Sequence, residues 1–249
     1  MSKMEDDTMT AIGLQAEPSF GVAGRKRWAM VVDLRRCIGC MACVAACKAE
    51  FDVPLGVWRT TVRVKNTGTY PNTRRNFMPR LCNHCDNPPC VRNCPTAATY
   101  KHDEGYVLQR YERCIGCRTC MIACPYNARF MLPQSRSRVG INNVVDKCTF
   151  CDHRVSQGLV PACVQTCIGR SRIFGDINDP NSEVARIVGT QDTVTLKPDR
   201  GTRPQVYYIR PDRQSFEQAT SAPVSAAARR DAEAFYRHND GSRYFGGLL

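Results

Sequence analysis

The sequence has no long apolar run and no recognisable export signal. No stretch of its 249 residues approaches the ~18 apolar residues of a membrane-spanning helix. Residues 1–24 are acidic and then small or polar, and they lack the basic and apolar segments of a secretory leader. A twin-arginine signal is excluded because Arg35 and Arg36 directly precede Cys37 and no apolar run follows. We therefore expect no membrane span, and a place on the cytoplasmic face of a membrane or export together with a partner.

Histidine and tryptophan are scarce, with four and two residues. His84 and His153 lie beside cysteines, where a Rieske-type centre would use histidine as an iron ligand. The sixteen cysteines fall into four complete groups of four possible ligands and leave no position for histidine. We therefore expect both histidines to hydrogen-bond within loops or to face a partner. Trp28 and Trp58 are expected to anchor a core or an interface rather than relay electrons.

Cysteine, in contrast, is abundant, with sixteen residues. A disulfide framework needs an oxidising compartment and usually a short secreted chain, and nothing here indicates secretion. Zinc sites and iron–sulfur sites remain as explanations. The cysteines fall into four groups of four with none left over. In chain order, groups one to four are Cys37, Cys40, Cys43, Cys47; Cys82, Cys85, Cys90, Cys94; Cys114, Cys117, Cys120, Cys124; and Cys148, Cys151, Cys163, Cys167.

Groups one and three are compact and share the spacing C-x2-C-x2-C-x3-C of bacterial ferredoxins. Groups two and four keep the C-x2-C start and the C-x3-C end, but residues 86–89 and 152–162 lengthen the middle gap. Structural zinc sites show two separated C-x2-C pairs, and a third cysteine two residues later has no place in them. The duplicated ferredoxin spacing therefore predicts iron–sulfur clusters.

Gly39 and Gly116 occupy the same place in the two compact groups. Three thiolates on one tight loop can reach three corners of a cubane only where the backbone turns sharply, and glycine permits that turn. We expect the fourth cysteine of each group to lie at the start of a helix and to point away from its loop. In two-cluster ferredoxins this cysteine ligates the other cluster. Spacing alone leaves two pairings open: one with two and three with four, or one with four and two with three.

The formal net charge of +12 would suit a nucleic-acid-binding protein, but it counts every cysteine as neutral. A [4Fe–4S] core held by four thiolates carries a charge of about −2 when oxidised, because metal-bound thiols are deprotonated. Four such clusters would offset about 8 positive charges. We interpret the basic excess as counter-charge for clusters, and we expect no nucleic-acid partner.

Short apolar segments predict short strands and helices around the cysteine loops. Helices are expected over residues 43–51 and 121–127. The turn at 103–105 joins two of the strands into a hairpin. Clusters are expected to replace much of an ordinary apolar core. The predicted strands are 27–33, 57–65, 99–100, 106–109, 129–132 and 205–209.

Longer motifs give the chain a family resemblance. It contains, in order, V-D-L-R-R-C-I-G-C-M-A-C, C-N-H-C-D-N-P-P-C-V-R-N-C-P, K-C-T-F-C and G-T-R-P-Q-V-Y-Y-I. With these motifs, residues 28–210 resemble the iron–sulfur (beta) subunits of complex iron–sulfur molybdoenzymes, the DMSO reductase family. The polysulfide reductase, tetrathionate reductase and sulfite dehydrogenase types are nearest. An N-terminal extension, 1–27, and a C-terminal tail, 211–249, lie outside the resemblance.

The resemblance implies an α+β fold of two bacterial-ferredoxin-like domains, one inserted in the other. Residues 28–70 and 140–210 would form the outer domain, and 71–139 the inserted domain. It also implies the nested pairing of cysteine groups. Every ligand position is cysteine, so four [4Fe–4S] clusters are expected. The implied ligand sets are set 1, Cys37, Cys40, Cys43 and Cys167; set 2, Cys82, Cys85, Cys90 and Cys124; set 3, Cys114, Cys117, Cys120 and Cys94; and set 4, Cys148, Cys151, Cys163 and Cys47.

The resemblance further implies a conductor without catalytic residues of its own. Single electrons would pass between a molybdopterin catalytic subunit and an integral membrane subunit that binds quinone. Sulfite oxidation, or polysulfide or tetrathionate reduction, would be the chemistry of the complex. The alternative is a free soluble polyferredoxin that shuttles electrons between enzymes.

Two smaller expectations concern individual residues. Arg118 lies within the loop of group three, where group one has Met41. We hypothesise that this arginine raises the potential of its cluster by favouring the reduced, more negative state. The tail is either a disordered terminus or an arm that orders on a partner through Tyr244, Phe245, Leu248 and Leu249.

Overall fold

A computed structural model describes residues 25–132 and 143–210 of the chain. The expectations for the tail, including its four aromatic and leucine anchors, lie outside the described residues, as does nearly all of the N-terminal extension.

The described residues form short strands and helices, as the sequence predicts. The helices are α1 (Ala42–Phe51), α2 (Pro89–Arg92), α3 (Thr119–Ile122), α4 (Asp152–Val155), α5 (Ala162–Gln165) and α6 (Glu183–Thr190). The strands are β1 (Trp28–Asp33), β2 (Thr61–Thr67), β3 (Arg74–Arg80), β4 (Thr99–Lys101), β5 (Val107–Gln109), β6 (Arg129–Met131), β7 (Val145–Lys147), β8 (Arg172–Asp176), β9 (Thr193–Thr195) and β10 (Val206–Ile209).

The largest sheet has four strands in the order β8-β1-β10-β9. Strand β1 lies at its centre, parallel to β10 and antiparallel to β8. Its W-A-M-V-V-D sequence suits that place, because Ala29 through Val32 are fully buried. Helix α6 packs on β8 and β1 through Val184, and Ser182 caps it by accepting a hydrogen bond from the Ala185 N–H at 3.0 Å.

Three two-stranded ribbons, β2–β3, β4–β5 and β6–β7, make up the rest of the described sheets. The predicted hairpin at 103–105 is confirmed as β4–β5. The prediction of a strand over 57–65 is wrong at its start, because β2 begins at Thr61. The side chain of Arg59 instead donates a hydrogen bond to Asp146. The carbonyl of Val57 accepts a hydrogen bond from Lys48 at 2.9 Å.

The helices beside the cysteines begin earlier than predicted. Met41 and Arg118, each in the left-handed conformation with φ near +60°, end the compact loops and start α1 and α3. The third cysteine therefore lies at the start of each helix. The fourth lies one turn later, within α1 for Cys47 and beyond α3 for Cys124. The predicted helix over 121–127 is correspondingly displaced, since α3 ends at Ile122.

Candidate metal centres

The two compact loops turn at glycines, as the sequence predicts. Gly39 and Gly116 have φ values of +70° and +69°. A Cβ at Gly39 would lie 2.3 Å from the ring of Phe77, and one at Gly116 would lie 2.4 Å from the carbonyl oxygen of Asn143. Both loops therefore need glycine for its conformation and for its lack of a side chain.

A single cavity brings together the four cysteines of set 1. Three come from the loop of group one, and Cys167 reaches the cavity from beyond α5. The Cys167 Sγ also accepts a hydrogen bond from the Ser171 N–H at 3.3 Å. Arg172 lines the same cavity. The cavity is therefore lined by cysteines from both the first and the last group of the chain.

The thiols of set 4 meet where α1 packs against α5. Cys47 and Cys151 share an apolar cluster there with Phe51 and Val53. Burial, followed by the charge of Cys163, raises the pKa of Cys47 to about 12. Burial also raises the pKa of Cys148 well above its usual value, with Cys47, Cys163 and Cys151 as further causes. Each of the four thiols therefore interacts with another member of its own set.

Set 2 is a second buried group of interacting thiols. Burial, followed by the charge of Cys82, raises the pKa of Cys85 to about 12, and Cys90 and Cys124 contribute further. Burial raises the pKa of Cys124, with Cys82 and Cys90 again among the causes. Groups two and three are therefore joined through Cys124.

Set 3 is the least closely assembled. Cys114 and Cys120 share an apolar cluster with Cys90, and burial is the main cause that raises the pKa of Cys120. Cys117 is exposed. Cys94 accepts a hydrogen bond from the Thr99 N–H at 3.4 Å, and such bonds within its own loop outweigh burial and lower its pKa.

Contacts between sets arrange them in a series. The guanidinium of Arg172 donates to Cys163 of set 4 and to Cys43 of set 1, each at 3.5 Å. The thiol of Cys148 in set 4 interacts with that of Cys82 in set 2. Within the next pair, Cys90 of set 2 interacts with Cys120 of set 3. These interactions link the sets in the order 1, 4, 2, 3.

Buried basic side chains lie between the sets, and sequence analysis missed most of them. Arg172, Arg129 and Lys147 are 3%, 6% and 0% exposed. Burial alone would lower the pKa of Arg172 and of Arg129, but neighbouring cysteines raise it above the ordinary value in both. A sequence signal was present, because both arginines lie five residues after the last cysteine of their group.

A further buried ion pair lies beside set 4. Arg59 donates from Nε and Nη2 to the carboxylate of Asp146, each at 2.8 Å, and Tyr111 adds a hydrogen bond to the same carboxylate at 2.7 Å. Burial alone would lower the pKa of Arg59, but Asp146 raises it. The positive charge of Arg59 also lies near Cys47. It lowers the pKa of that thiol and so opposes the effect of burial.

The donors around the cysteines fit iron–sulfur clusters. Within the described ranges, Nε of Arg172, Nη2 of Arg129 and Oγ1 of Thr149 are buried without a hydrogen-bond partner. Buried donors are normally paired, and thiolate or sulfide sulfur would accept from them. Ligation to iron would also deprotonate thiols whose pKa burial otherwise raises. Cysteine thiolate is the ligand that such clusters use.

The two histidines beside cysteines form hydrogen bonds with residues of other elements and not within their own loops, so the expectation of bonds within loops is wrong. Nδ1 of His84 accepts from the Val107 N–H at 3.1 Å, and the ring stacks on Phe150 at 3.7 Å. Burial holds the pKa of His84 well below its usual value, so the ring is neutral. Nε2 of His153 lies 2.7 Å from Glu50.

The two tryptophans and Arg118 differ in how far they are buried. Trp28 stacks on Phe174 at 5.2 Å, while Trp58 is 41% exposed. Arg118 is exposed at the start of α3. In the two described ranges, no helix has the length and apolar character needed to cross a membrane.

Comparisons with known proteins agree with this donor set. A model described as "4Fe-4S binding domain" matches residues 28–49, and one described as "4Fe-4S dicluster domain" matches residues 73–177. Both are iron–sulfur models, and together their ranges contain all sixteen cysteines. The chain therefore carries [4Fe–4S] clusters, and more than one.

Similar full-length proteins have related descriptions. The B subunit of tetrathionate reductase from Salmonella typhimurium is 47% identical over 190 residues, which cover 74% of this chain and 73% of the relative. The B subunit of selenate reductase from Mesobacillus selenatarsenatis is 39% identical, covering 74% and 72%. The B subunit of sulfite dehydrogenase from Allochromatium vinosum is 38% identical, covering 73% and 82%.

Proposed function

The chain belongs to the iron–sulfur (beta) subunits of the complex iron–sulfur molybdoenzymes, and from this premise we propose that it is a four-cluster conductor within a membrane-attached complex. The relatives are B subunits of reductases and dehydrogenases. The proposal adds the cluster number, the path and the partners. Electrons would pass singly between a molybdopterin catalytic subunit and a quinone-binding membrane subunit.

One observation carries the proposal: interactions between side chains link the cysteine sets in the order 1, 4, 2, 3, and the two terminal sets reach the surface. Cys40 of set 1 and Cys117 of set 3 are exposed, whereas the inner sets are buried apart from half-buried Cys124. A conductor needs neighbouring centres and two accessible ends. This arrangement meets both needs.

The four ligand sets remain our assignment of cysteines to clusters. Set 1 is supported by the cavity that its four cysteines share. Sets 2 and 4 are supported by the mutual interactions of their thiols. For set 3, Cys114 and Cys120 are neighbours, and the places of Cys94 and Cys117 rest on spacing and family resemblance.

The inserted-domain arrangement is also part of the proposal. All four strands of the largest sheet come from 28–70 and 140–210, the proposed outer domain. Hairpin β4–β5 comes from the proposed insert, 71–139. Two ribbons, β2–β3 and β6–β7, have one strand on each side of a proposed boundary, so the two domains would share hydrogen-bonded ribbons.

Exposed apolar side chains beside the terminal sets suit partner docking. Ile38 and Ile168 near set 1 are 61% and 75% exposed, and Ile115 and Ile122 near set 3 are 68% and 87% exposed. We propose that the catalytic subunit covers one end and the membrane subunit the other. Sulfur compounds are the proposed substrates of the complex, because tetrathionate and sulfite enzymes are among its relatives.

Purification from detergent-solubilised membranes tests the proposal. A tagged chain should bring down one molybdopterin-containing chain and one membrane chain, with about sixteen iron atoms per tagged chain, four for each proposed cluster. Recovery of the chain alone from the soluble fraction would instead support a free polyferredoxin. An iron content near eight would reject the four-cluster assignment.

A further inference from the structure

Two buried arginines occupy equivalent places in the two halves of the cluster series. Arg172 lies five residues after Cys167, and Arg129 lies five residues after Cys124. Each is the first residue of a strand, β8 or β6, that follows a C-x3-C pair. The repeat in sequence is thus also a repeat in structure.

Arg172 spans sets 1 and 4 with a single guanidinium. Nη1 donates to Cys163 Sγ at 3.5 Å, and Nη2 donates to Cys43 Sγ at 3.5 Å. Nη2 also donates to Oγ1 of Thr60 at 2.8 Å, which holds the planar group in place. Its two thiol partners are the third cysteines of groups four and one.

Arg129 lies between sets 2 and 3 in the corresponding place. Its neighbours include Cys90 and Cys120, the third cysteines of groups two and three, which raise its pKa, and its Nη2 is buried without a hydrogen-bond partner among the described residues. Nη1 donates to Oγ1 of Thr99 at 3.1 Å and to Oε1 of Gln109 at 3.3 Å. A threonine therefore orients each bridging arginine.

Among the residues that the structure describes, no carboxylate pairs with either arginine. The partners of Arg172 and Arg129 within the described part of the chain are thiols, hydroxyls and an amide. Arg59, in contrast, is paired with Asp146. An uncompensated buried charge acts at full strength on its neighbours, because little water screens it.

We propose that Arg172 and Arg129 are a duplicated pair of potential-setting residues, each of which raises the reduction potentials of two clusters at once. The proposal rests on the four-cluster function. Reduction adds negative charge to a cluster, and a cation that also donates N–H groups to its sulfur ligands favours that state. Arg172 would serve clusters 1 and 4, and Arg129 would serve clusters 2 and 3.

The test is a redox titration, followed by EPR, of the purified complex and its variants. Arg172→Gln should lower two of the four potentials, each by a tenfold change in the reduction equilibrium, which is 59 mV for a one-electron couple. Arg129→Gln should lower the other two by a similar factor. The control Arg186→Gln, an exposed site in α6, should move none.

Complementary pairs of shifts support the proposal. It is overturned if the Gln variants move no potential, move one cluster each, or move all four together. Iron content is measured on every variant. If Arg172→Gln does not retain iron, Arg172→Lys decides: it keeps the charge but not the fork of donors. Lysine should lower one or both of the same two potentials by less than tenfold, and no shift at all overturns the proposal.

Redox titration of the unmodified complex distinguishes a failure of the proposed four-cluster function from a failure of the proposed arginine role. Fewer than four titrating components would reject the proposed four-cluster function. Four components that ignore both substitutions would reject only the role of the arginines.

Discussion

The compact and the stretched cysteine groups differ in how they meet solvent. In the compact groups, one and three, one cysteine of each loop is exposed. In the stretched groups, two and four, every cysteine of the loop itself is buried. The exposed cysteines are Cys40 and Cys117; the buried loop cysteines are Cys82, Cys85, Cys90, Cys148, Cys151 and Cys163.

The inserted residues account for this difference, because they supply cover that a compact loop does not have. In group two, the N–H groups of Asp86 and Asn87 donate to the carbonyls of Arg203 and Thr202 at 2.9 and 3.1 Å. In group four, the insertion contains α4 and continues into α5. Solvent exposure is one of the factors that set cluster potential, so loop length is a route to tuning.

The largest expected effect comes from filling a compact loop. Gly116→Ala places a Cβ 2.4 Å from the Asn143 carbonyl oxygen at a φ of +69°. Strain of about 1–3 kcal/mol adds to that clash, and we expect loss of the cluster held by group three. Gly158→Ala, in the insertion of group four, meets no atom within 4 Å at a φ of +77° and should retain full iron. Iron analysis and EPR compare them, and equal iron in both contradicts the prediction.

Next in size is the buried ion pair. Asp146→Asn leaves Arg59 without its carboxylate, and breaking such a pair costs about 3–5 kcal/mol. At roughly 2–4 °C per kcal/mol, Tm of the holoprotein should fall by roughly 6–20 °C. The surface counterpart is Asp199→Asn, where Asp199 and its partner Arg200 are 68% and 62% exposed, and it should cost about 1 kcal/mol or less. Calorimetry measures both, and similar losses would break the contrast between interior and surface.

Lys147→Met tests charge between the two buried sets. Nζ of Lys147 is fully buried, donates to the carbonyls of Val107 and Cys148, and acts on the thiols of Cys82 and Cys148. Methionine keeps the volume and removes the charge. We expect the potentials of clusters 2 and 4 to fall by about 60 mV, a tenfold change in the reduction equilibrium. Potentials that stay unchanged would mean that the amine serves packing alone.

The smallest effect is expected at the surface, for Arg118→Met. This substitution gives group three the residue that group one has at Met41. The potential of cluster 3 should fall, but by about 30 mV or less, because water and salt screen an exposed charge. EPR titration at low and high salt measures it. A shift as large as that of Lys147→Met would remove the distinction between buried and exposed cations.

Sequence reasoning located the chemistry better than the architecture. Cysteine spacing predicted the iron–sulfur clusters, and apolar patterning predicted β1 and β10, which are buried central strands. The strand β8 was missed because R-I-F-G-D carries a buried arginine whose charge reads as solvent-facing. Strand β3 was missed because its basic residues and Pro79 argue against a strand.

Several short elements depend on tertiary contacts that a single sequence does not display. Strand β7 has only three residues and pairs with β6, which the sequence does predict, across a connection of more than ten residues. The bridging arginines were missed for a related reason. The position of each depends on a thiol that lies far away along the chain, such as Cys43 for Arg172.

The parallel pairing of β1 with β10 also sets a timetable for biogenesis. Met30 pairs with Val206, so the central strand leaves the ribosome well before its partner exists. At about 5–20 residues per second, the wait is on the order of 10–40 s. During that time the thiols of group one are unsheltered and open to oxidation or to the wrong metal. In the proposed assignment, set 1 cannot be complete before Cys167 has been made, whereas all the cysteines of sets 2 and 3 are made earlier.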